Sequence, residues 1–427
     1  MLCWVSWLLV VFVVTGATTD ECRPLGAAPA RSKKVCERSV AVLEFQPYHD
    51  ETLFTAVRLA QAAGADCVTL LKVVSGYREF DLFVEMRKWA GDSLRVRHGW
   101  EKVKTYLSTE TPEVLIVNTF EEVEEKYLKT SKLLDLAKIM RGPKRIVAGC
   151  HNLKPCLQLF ELFEDVRPDL AQRTTPLVYH PRMADHMINN TKVPNHWTRP
   201  IVSVPFFFGP EGKKNTKIRN EVAPKSTRSF PAVKLLAVGS ISGGRRNYGV
   251  LEDLSRAQLK SPVEIAVFGS GSSESSQRLK SMMTKAADTS EHRFSISFHR
   301  GNYSTLFGLA QTSDFVVPLI DADSPTFEHY VRGKLSSALA VATGFLVPVI
   351  GADSLLDSYG LDSQITHDAK GKGPAFANAV ATALDIFHLD KPQYQHIKHR
   401  ICHFRYTHFH NATGRLRHLL LDTTSST

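Results

Sequence analysis

The segment Gly239-Ser-Ile-Ser-Gly-Gly-Arg245-Arg246-Asn247-Tyr248 sets glycines and paired arginines in one short turn. Glycine lets backbone amides approach a phosphate, and an arginine fork binds phosphate oxygens two at a time. Downstream, Tyr330-Val-Arg-Gly-Lys334-Leu-Ser336-Ser337 places a lysine and two hydroxyls just ahead of an alanine-rich stretch. His49 and His151 each follow a candidate strand. An imidazole titrating near neutrality suits removal of a proton from a hydroxyl. Asp321-Ala-Asp323 has the D-x-D spacing with which two carboxylates hold a divalent ion. In the tail, His396, His399 and His403 fall on one face of a helix, but no glutamate completes an H-E-x-x-H pattern. Each feature also has a plainer reading: an exposed glycine turn, a solvated lysine at a helix start, or core and surface members of a set of 17 histidines.

The elements that must position these residues alternate strand and helix. Ser39 to Phe45 reads as a strand, followed by a loop over Gln46 to Asp50 and an amphipathic helix from Glu51 to Ala63. Further strands are expected at Cys67–Val73, Glu113–Asn118, Arg145–Gly149 and Pro200–Val204, with helices at Leu82–Ala90, Val123–Ile139 and Leu157–Phe163. Gly209 to Pro231 is rich in Pro, Gly, Lys and Asn without an apolar period, which makes it the interdomain linker. The alternation then restarts with apolar strands at Lys234–Gly239, Glu264–Gly269, Phe294–His299, Phe315–Ile320 and Phe345–Ile350, and helices at Tyr303–Thr312 and Lys334–Ala342. Such continuous apolar runs are typical of parallel sheets covered on both faces. A basic, histidine-rich tail over 396–427 has enough apolar period for a helix, with Gly414 as an interruption.

With the glycine-arginine turn, the lysine segment and these strands in place, Val233 to Gly360 resembles the nucleotide-binding half of GT-B glycosyltransferases. Gly239 to Asn247 looks like their glycine-basic loop, Tyr330 to Ser337 like their Y-x-x-x-K-x-S segment, and Gly344 to Ile350 like the strand that follows. Residues 39–205 resemble the acceptor half more faintly, through the strand-loops at His49 and His151. The resemblance implies an α/β chain of two facing Rossmann-like domains with parallel sheets, an acceptor domain over 39–208 and a nucleotide-sugar domain over 232–395. It further implies that a nucleotide-sugar donor is bound by Gly239, Arg245, Arg246, Asn247, Gly269, Tyr330, Lys334, Ser336 and Ser337, with Glu328 near the sugar or ribose. Cations there would stabilise the charge growing on the departing diphosphate. His49 or His151 would take the proton of an acceptor hydroxyl on a glycan, protein or lipid. The donor is a co-substrate, no resident cofactor is implied, and a divalent metal is not expected despite Asp321 and Asp323. The chain departs from the pattern in one respect. Many retaining members carry a second glutamate where counting from Glu328 reaches Ser336.

Length and composition bound the rest. At 427 residues the chain exceeds the roughly 250–300 residues that one hydrophobic core supports, so two domains are expected. An apolar fraction of 43% with 22% charged residues is that of a globular protein. The net charge of +10 is scattered without aromatic-interleaved basic motifs, which argues against nucleic acid and for a phosphate-bearing ligand or an anionic membrane surface. Residues 1–17 read as a signal peptide or a retained signal anchor, and 18–38 as a leader. Beyond residues 1–17, six of the seven cysteines remain, with Cys22–Cys36 and Cys150–Cys156 close enough to pair. Sequons at Asn189, Asn302 and Asn411 agree with entry into the secretory lumen, with membrane anchoring through the N-terminus left open. Two other readings stand beside a transferase: a non-catalytic glycan- or nucleotide-binding protein on the same scaffold, and a nucleotide-sugar epimerase.

Overall fold

The structure, a computed structural model, describes residues 36–46, 50–74, 79–123, 140–189, 197, 199–203, 231–242, 244–271, 274–288, 293–361 and 363–422. The N-terminal segment, Cys22, His49, nearly all of the helix expected over 123–139 and most of the linker lie outside the described residues.

Seven strands form the first sheet: β1 (Ser39–Glu44), β2 (Cys67–Lys72), β3 (Leu94–His98), β4 (Val114–Val117), β5 (Arg145–Cys150), β6 (Thr174–Val178) and β7 (Ile201–Val202). All pairings are parallel, in the order β3-β2-β1-β4-β5-β6-β7. The central strands are almost wholly buried because helices such as Asp50–Ala62 and Leu153–Val166 cover the sheet.

The second sheet contains β8 (Val233–Val238), β9 (Val263–Phe268), β10 (Phe294–His299) and β11 (Phe315–Val316), again parallel, in the order β10-β9-β8-β11. A parallel pair, β12 (Ile350–Ala352) and β13 (Ile365–His367), is joined to β11 by a bridge between Val316 and Val349. In both sheets the chain winds outward one way from the first strand and then returns to wind the other way. The resulting switch points lie between β1 and β4 and between β8 and β11, where open α/β sheets bind ligands at the carboxyl ends of their strands.

Several elements differ from the sequence expectation. The apolar run Phe345–Ile350 is not one strand: the helix Ser337–Phe345 extends to Phe345, Leu346 caps it in the left-handed region (φ 56°), and β12 starts only at Ile350. This helix is buried on nearly every side, so its sequence reads as uniformly apolar as a central strand. Only Phe315 and Val316 of the expected Phe315–Ile320 strand are regular, since Pro318 and the positive φ of Leu319 (54°) turn the chain away. The edge strand β3, LRVRH, and β6, TTPLV, carry charged or hydroxylated residues that hid them.

The tail is one continuous helix, Lys391–Asp422, which starts ahead of residue 396 and runs through Gly414 without a break. It returns to the first domain. Arg415 donates to the backbone oxygens of Pro200 and Arg199, and Arg417 donates to those of Ala62 and Ala63 at the end of the helix Asp50–Ala62, where carbonyls lack partners. Leu416 and Leu420 complete an apolar cluster that also holds Phe54 and Val57 of the first domain and Tyr303 and Phe307 of the second.

Cysteine pairing also differs. Cys36 bonds Cys67, not Cys22, and so ties the residues before β1 to the start of β2, while Cys150 bonds Cys156 as expected. Cys402 in the tail helix is disulfide-bonded as well.

Candidate functional site

The loop after β8 is held against the loop after β11. Asn247 donates its backbone N–H to the carbonyl oxygen of Leu319 at 2.8 Å, and its side-chain amide donates to both carboxylate oxygens of Asp321 at 2.9 and 3.1 Å. Arg246 is buried beneath the loop, donates to the carbonyl oxygen of Pro318, and occupies the space where a side chain on Gly239 would project. A Cβ on Gly269 would collide with the Gly239 carbonyl, so both glycines are required by the close approach of the two loops. Gly239, Gly269, Arg246 and Asn247 thus shape this turn. Arg245 is the exposed cation at its rim.

Asp321 is buried, and that burial raises its carboxyl above the usual carboxylate value, against the lowering effect of the Asn247 and Asp323 hydrogen bonds. Its oxygens face Asn247 and its own loop, while Asp323 is exposed. Among the described residues no group of three or more His, Cys, Asp or Glu side chains is arranged to hold a metal.

The lysine segment adjoins this turn. Lys334 is half-buried, and burial followed by repulsion from Arg245 pushes its ammonium below the usual lysine value. Its Nζ lies 5.4 Å from the centroid of the buried Tyr330 ring. Ser336 caps the helix Ser337–Phe345 in extended conformation without a side-chain cap bond, and its buried hydroxyl has no hydrogen-bond partner among the described residues. The first amides of that nine-residue helix, with Ser337 at its start, thus directly follow an unpartnered hydroxyl and Lys334, whose charge Arg245 repels, a combination suited to an anion.

Glu328 lies in the short helix that precedes Lys334. It is largely exposed, pairs with Arg332 at 3.4 Å, and lines a cavity of about 460 Å³ with Ala322, Phe327, Val331, Ser354 and Lys370.

At the switch point of the first sheet the polar residues are buried and mutually engaged. Glu44, at the end of β1, accepts from Asn118, Thr119 and the Gln46 amide. His151 places Nε2 2.8 Å from the Asn118 carbonyl and 3.2 Å from the Thr52 hydroxyl, so that nitrogen carries the hydrogen and donates. Glu121 accepts from the backbone amides of His151 and Asn152. The ring is only 3% exposed, and through Nε2 it ties the loops after β4 and β5 together.

Three contacts that no local pattern announces join the domains here. Lys72, almost wholly buried at the end of β2, pairs with Asp50 at 2.9 Å, and Tyr303 of the second domain donates its hydroxyl to the other Asp50 oxygen. His180, just past β6, packs against Tyr359 with ring centroids 4.1 Å apart and the rings tilted by 57°. Gly333 (φ 127°) packs so closely on Met183 that a Cβ there would lie 2.5 Å from its Cγ.

Two parallel doubly wound sheets in facing domains, with the tail helix crossing back to the first, define the architecture. The fold is GT-B. Solved GT-B structures resemble it over nearly the whole chain. A glycosyltransferase from Rickettsia africae superimposes with a TM-score of 0.59 at 10% identity, covering 91% of this chain and 100% of its own. Sucrose-phosphate synthase from Thermosynechococcus elongatus does so with 0.55 at 12% identity, and Anabaena HepE in complex with UDP and glucose with 0.53 at 13%, both with the same coverage of 91% and 100%. No protein-family model and no curated protein sequence matches the chain. The likeness is therefore one of GT-B fold, and the site's chemistry must be argued from its own residues.

Proposed function

We propose that this protein is a glycosyltransferase that moves a sugar from a nucleotide-sugar donor to an acceptor hydroxyl. The observation that carries the proposal is the succession of Lys334, the unpartnered Ser336 hydroxyl and the first amides of the helix Ser337–Phe345, with Arg245 near enough to depress the Lys334 ammonium. As the glycosidic bond breaks, negative charge collects on the leaving diphosphate, and fixed cations and amide dipoles lower that barrier. UDP is the first nucleotide to test, since HepE binds UDP with glucose in the same fold.

The acceptor, a glycan, protein or lipid, is proposed to enter from the first domain, with His49 as the proton acceptor by its place after β1. The disulfides Cys36–Cys67 and Cys150–Cys156 support an oxidising compartment, and with the apolar N-terminal segment they favour the secretory lumen. In a thermal-shift panel of nucleoside diphosphates, one is expected to stabilise the protein, and Lys334→Ala is expected to abolish that shift. No stabilisation by any nucleotide would reject the reading.

Ser336, in the place of the second glutamate, favours a second reading, in which the same site binds nucleotide without transfer. Binding without release of diphosphate from any donor would select it.

A further inference from the structure

The segment Gly333 to Ser336, which carries the proposed diphosphate ligands, is held from behind by residues on both domains. The Lys334 carbonyl accepts a hydrogen bond of 2.6 Å from the Tyr359 hydroxyl. Tyr359 is only 2% exposed, and its ring lies against His180 of the first domain. The residue before it, Ser358, has its hydroxyl 3.4 Å from His180 Nε2 and donates to the Leu355 carbonyl at 2.7 Å. Since His180 Nδ1 accepts from the Arg182 amide at 3.1 Å, Nε2 must carry the hydrogen and donate to Ser358. On the other side of the segment, Gly333 abuts Met183, in the helix Pro181–Asn189 that His180 leads into.

We propose that Tyr359 and His180 are positioning residues for the donor segment, so that the first domain sets the affinity for the nucleotide held by the second. The proposal rests on the reading that Lys334 and Ser336 face the donor diphosphate. The Tyr359 hydroxyl bonds the backbone carbonyl of Lys334, so it contributes by fixing the peptide that aims the lysine, the unpartnered Ser336 hydroxyl and the helix amides. Donor binding then requires the domains to be docked, because the His180 ring supports Tyr359 and Met183 supports Gly333.

The test measures binding of UDP, GDP and ADP calorimetrically to the full chain and to matched tyrosine variants. Tyr359→Phe removes the hydroxyl and keeps the ring. Tyr394→Phe is the control, because the Tyr394 hydroxyl also donates to a backbone carbonyl, that of Asp314 at 3.0 Å, in the second domain but on another face. Tyr359→Phe is expected to weaken nucleotide binding about five- to tenfold and to raise the donor KM more than it lowers kcat, the scale of one lost hydrogen bond. Tyr394→Phe is expected to lose comparable thermal stability with nucleotide affinity unchanged. His180→Ala should weaken binding, and His180→Gln, which keeps a donor toward Ser358, should restore most of it. Equal affinities of the two tyrosine variants, whether both intact or both reduced, would overturn the proposal while the donor reading stood. Failure of the unmodified chain to bind any of the three nucleotides, or Lys334→Ala binding as well as it does, would instead remove the donor reading and the proposal with it.

Discussion

Tyr303, at the start of a helix in the second domain, donates its phenolic hydrogen to Asp50, at the start of a helix in the first, across 253 residues of chain. Asp50 also pairs with the buried Lys72, so one carboxylate holds a cation of its own domain and a hydroxyl of the other. Tyr303→Phe leaves the ion pair in place and is expected to cost about 1–2 kcal/mol. Asp50→Ala strands a buried ammonium and is expected to cost about 3–5 kcal/mol. Urea unfolding midpoints of the two variants should rank in that order. The reverse order would mean that the carboxylate is not the centre of the contact.

His180 gives the fold an acid limit. Burial, reinforced by the Arg182 and His186 charges, lowers its pKa from 6.5 to about 3. Protonating it would also forfeit the hydrogen bond that Nδ1 accepts from the Arg182 amide. The unfolded chain binds this proton first as the pH falls, so the stabilisation is fully present above about pH 6.5 and is lost progressively as the pH falls toward 3. Stability measured in urea from pH 7 to pH 4 should fall less steeply for His180→Gln than for the unmodified protein. Parallel curves would show that other groups govern acid unfolding.

The two disulfides with both partners described should differ in weight. Cys36–Cys67 closes a separation of 31 residues and Cys150–Cys156 one of 6. Chain entropy then assigns them about 3.7 and about 2.2 kcal/mol, respectively. Paired serine replacements should therefore lower the melting temperature more at 36 and 67 than at 150 and 156. Equal losses would point to strain or residual structure outweighing loop length.

The tail helix is expected to behave as part of the first domain's core. Arg415 donates to the carbonyls of Pro200 and Arg199, and the desolvation this imposes lowers its guanidinium below the usual arginine value. Arg415→Ala should cost about 1–2 kcal/mol and loosen protection of the β7 amides against hydrogen exchange. A loss of protection confined to the tail itself would argue that the crossing contributes little to the first domain.

The sheets were legible because their central strands are buried on both faces and must be continuously apolar, as SVAVLE and RIVAGC are. Edge and polar strands such as LRVRH carried no such signal, and the Ala-rich helix Ser337–Phe345 mimicked one. The site was legible only in part. Glycines beside cations are the local pattern of an anion-binding turn, so Gly239 and Lys334 stood out. Arg246 and Asn247 look like ligands in sequence, yet one is spent under the turn and the other on Asp321. Glu44, Asp50, Lys72, His180 and Tyr359 acquire meaning through partners far away in sequence, and no spacing rule reaches that far.

Transfer from a nucleotide sugar is read most directly as release of nucleoside diphosphate from a panel of UDP- and GDP-sugars, with and without a glycan, peptide and lipid acceptor mixture. One donor is expected to be turned over, faster with acceptor, and Lys334→Ala to lower the rate at least about a hundredfold, the scale of one lost charge-stabilising group. Nucleotide binding with no release from any donor would contradict the claim and leave a binding protein on a transferase fold.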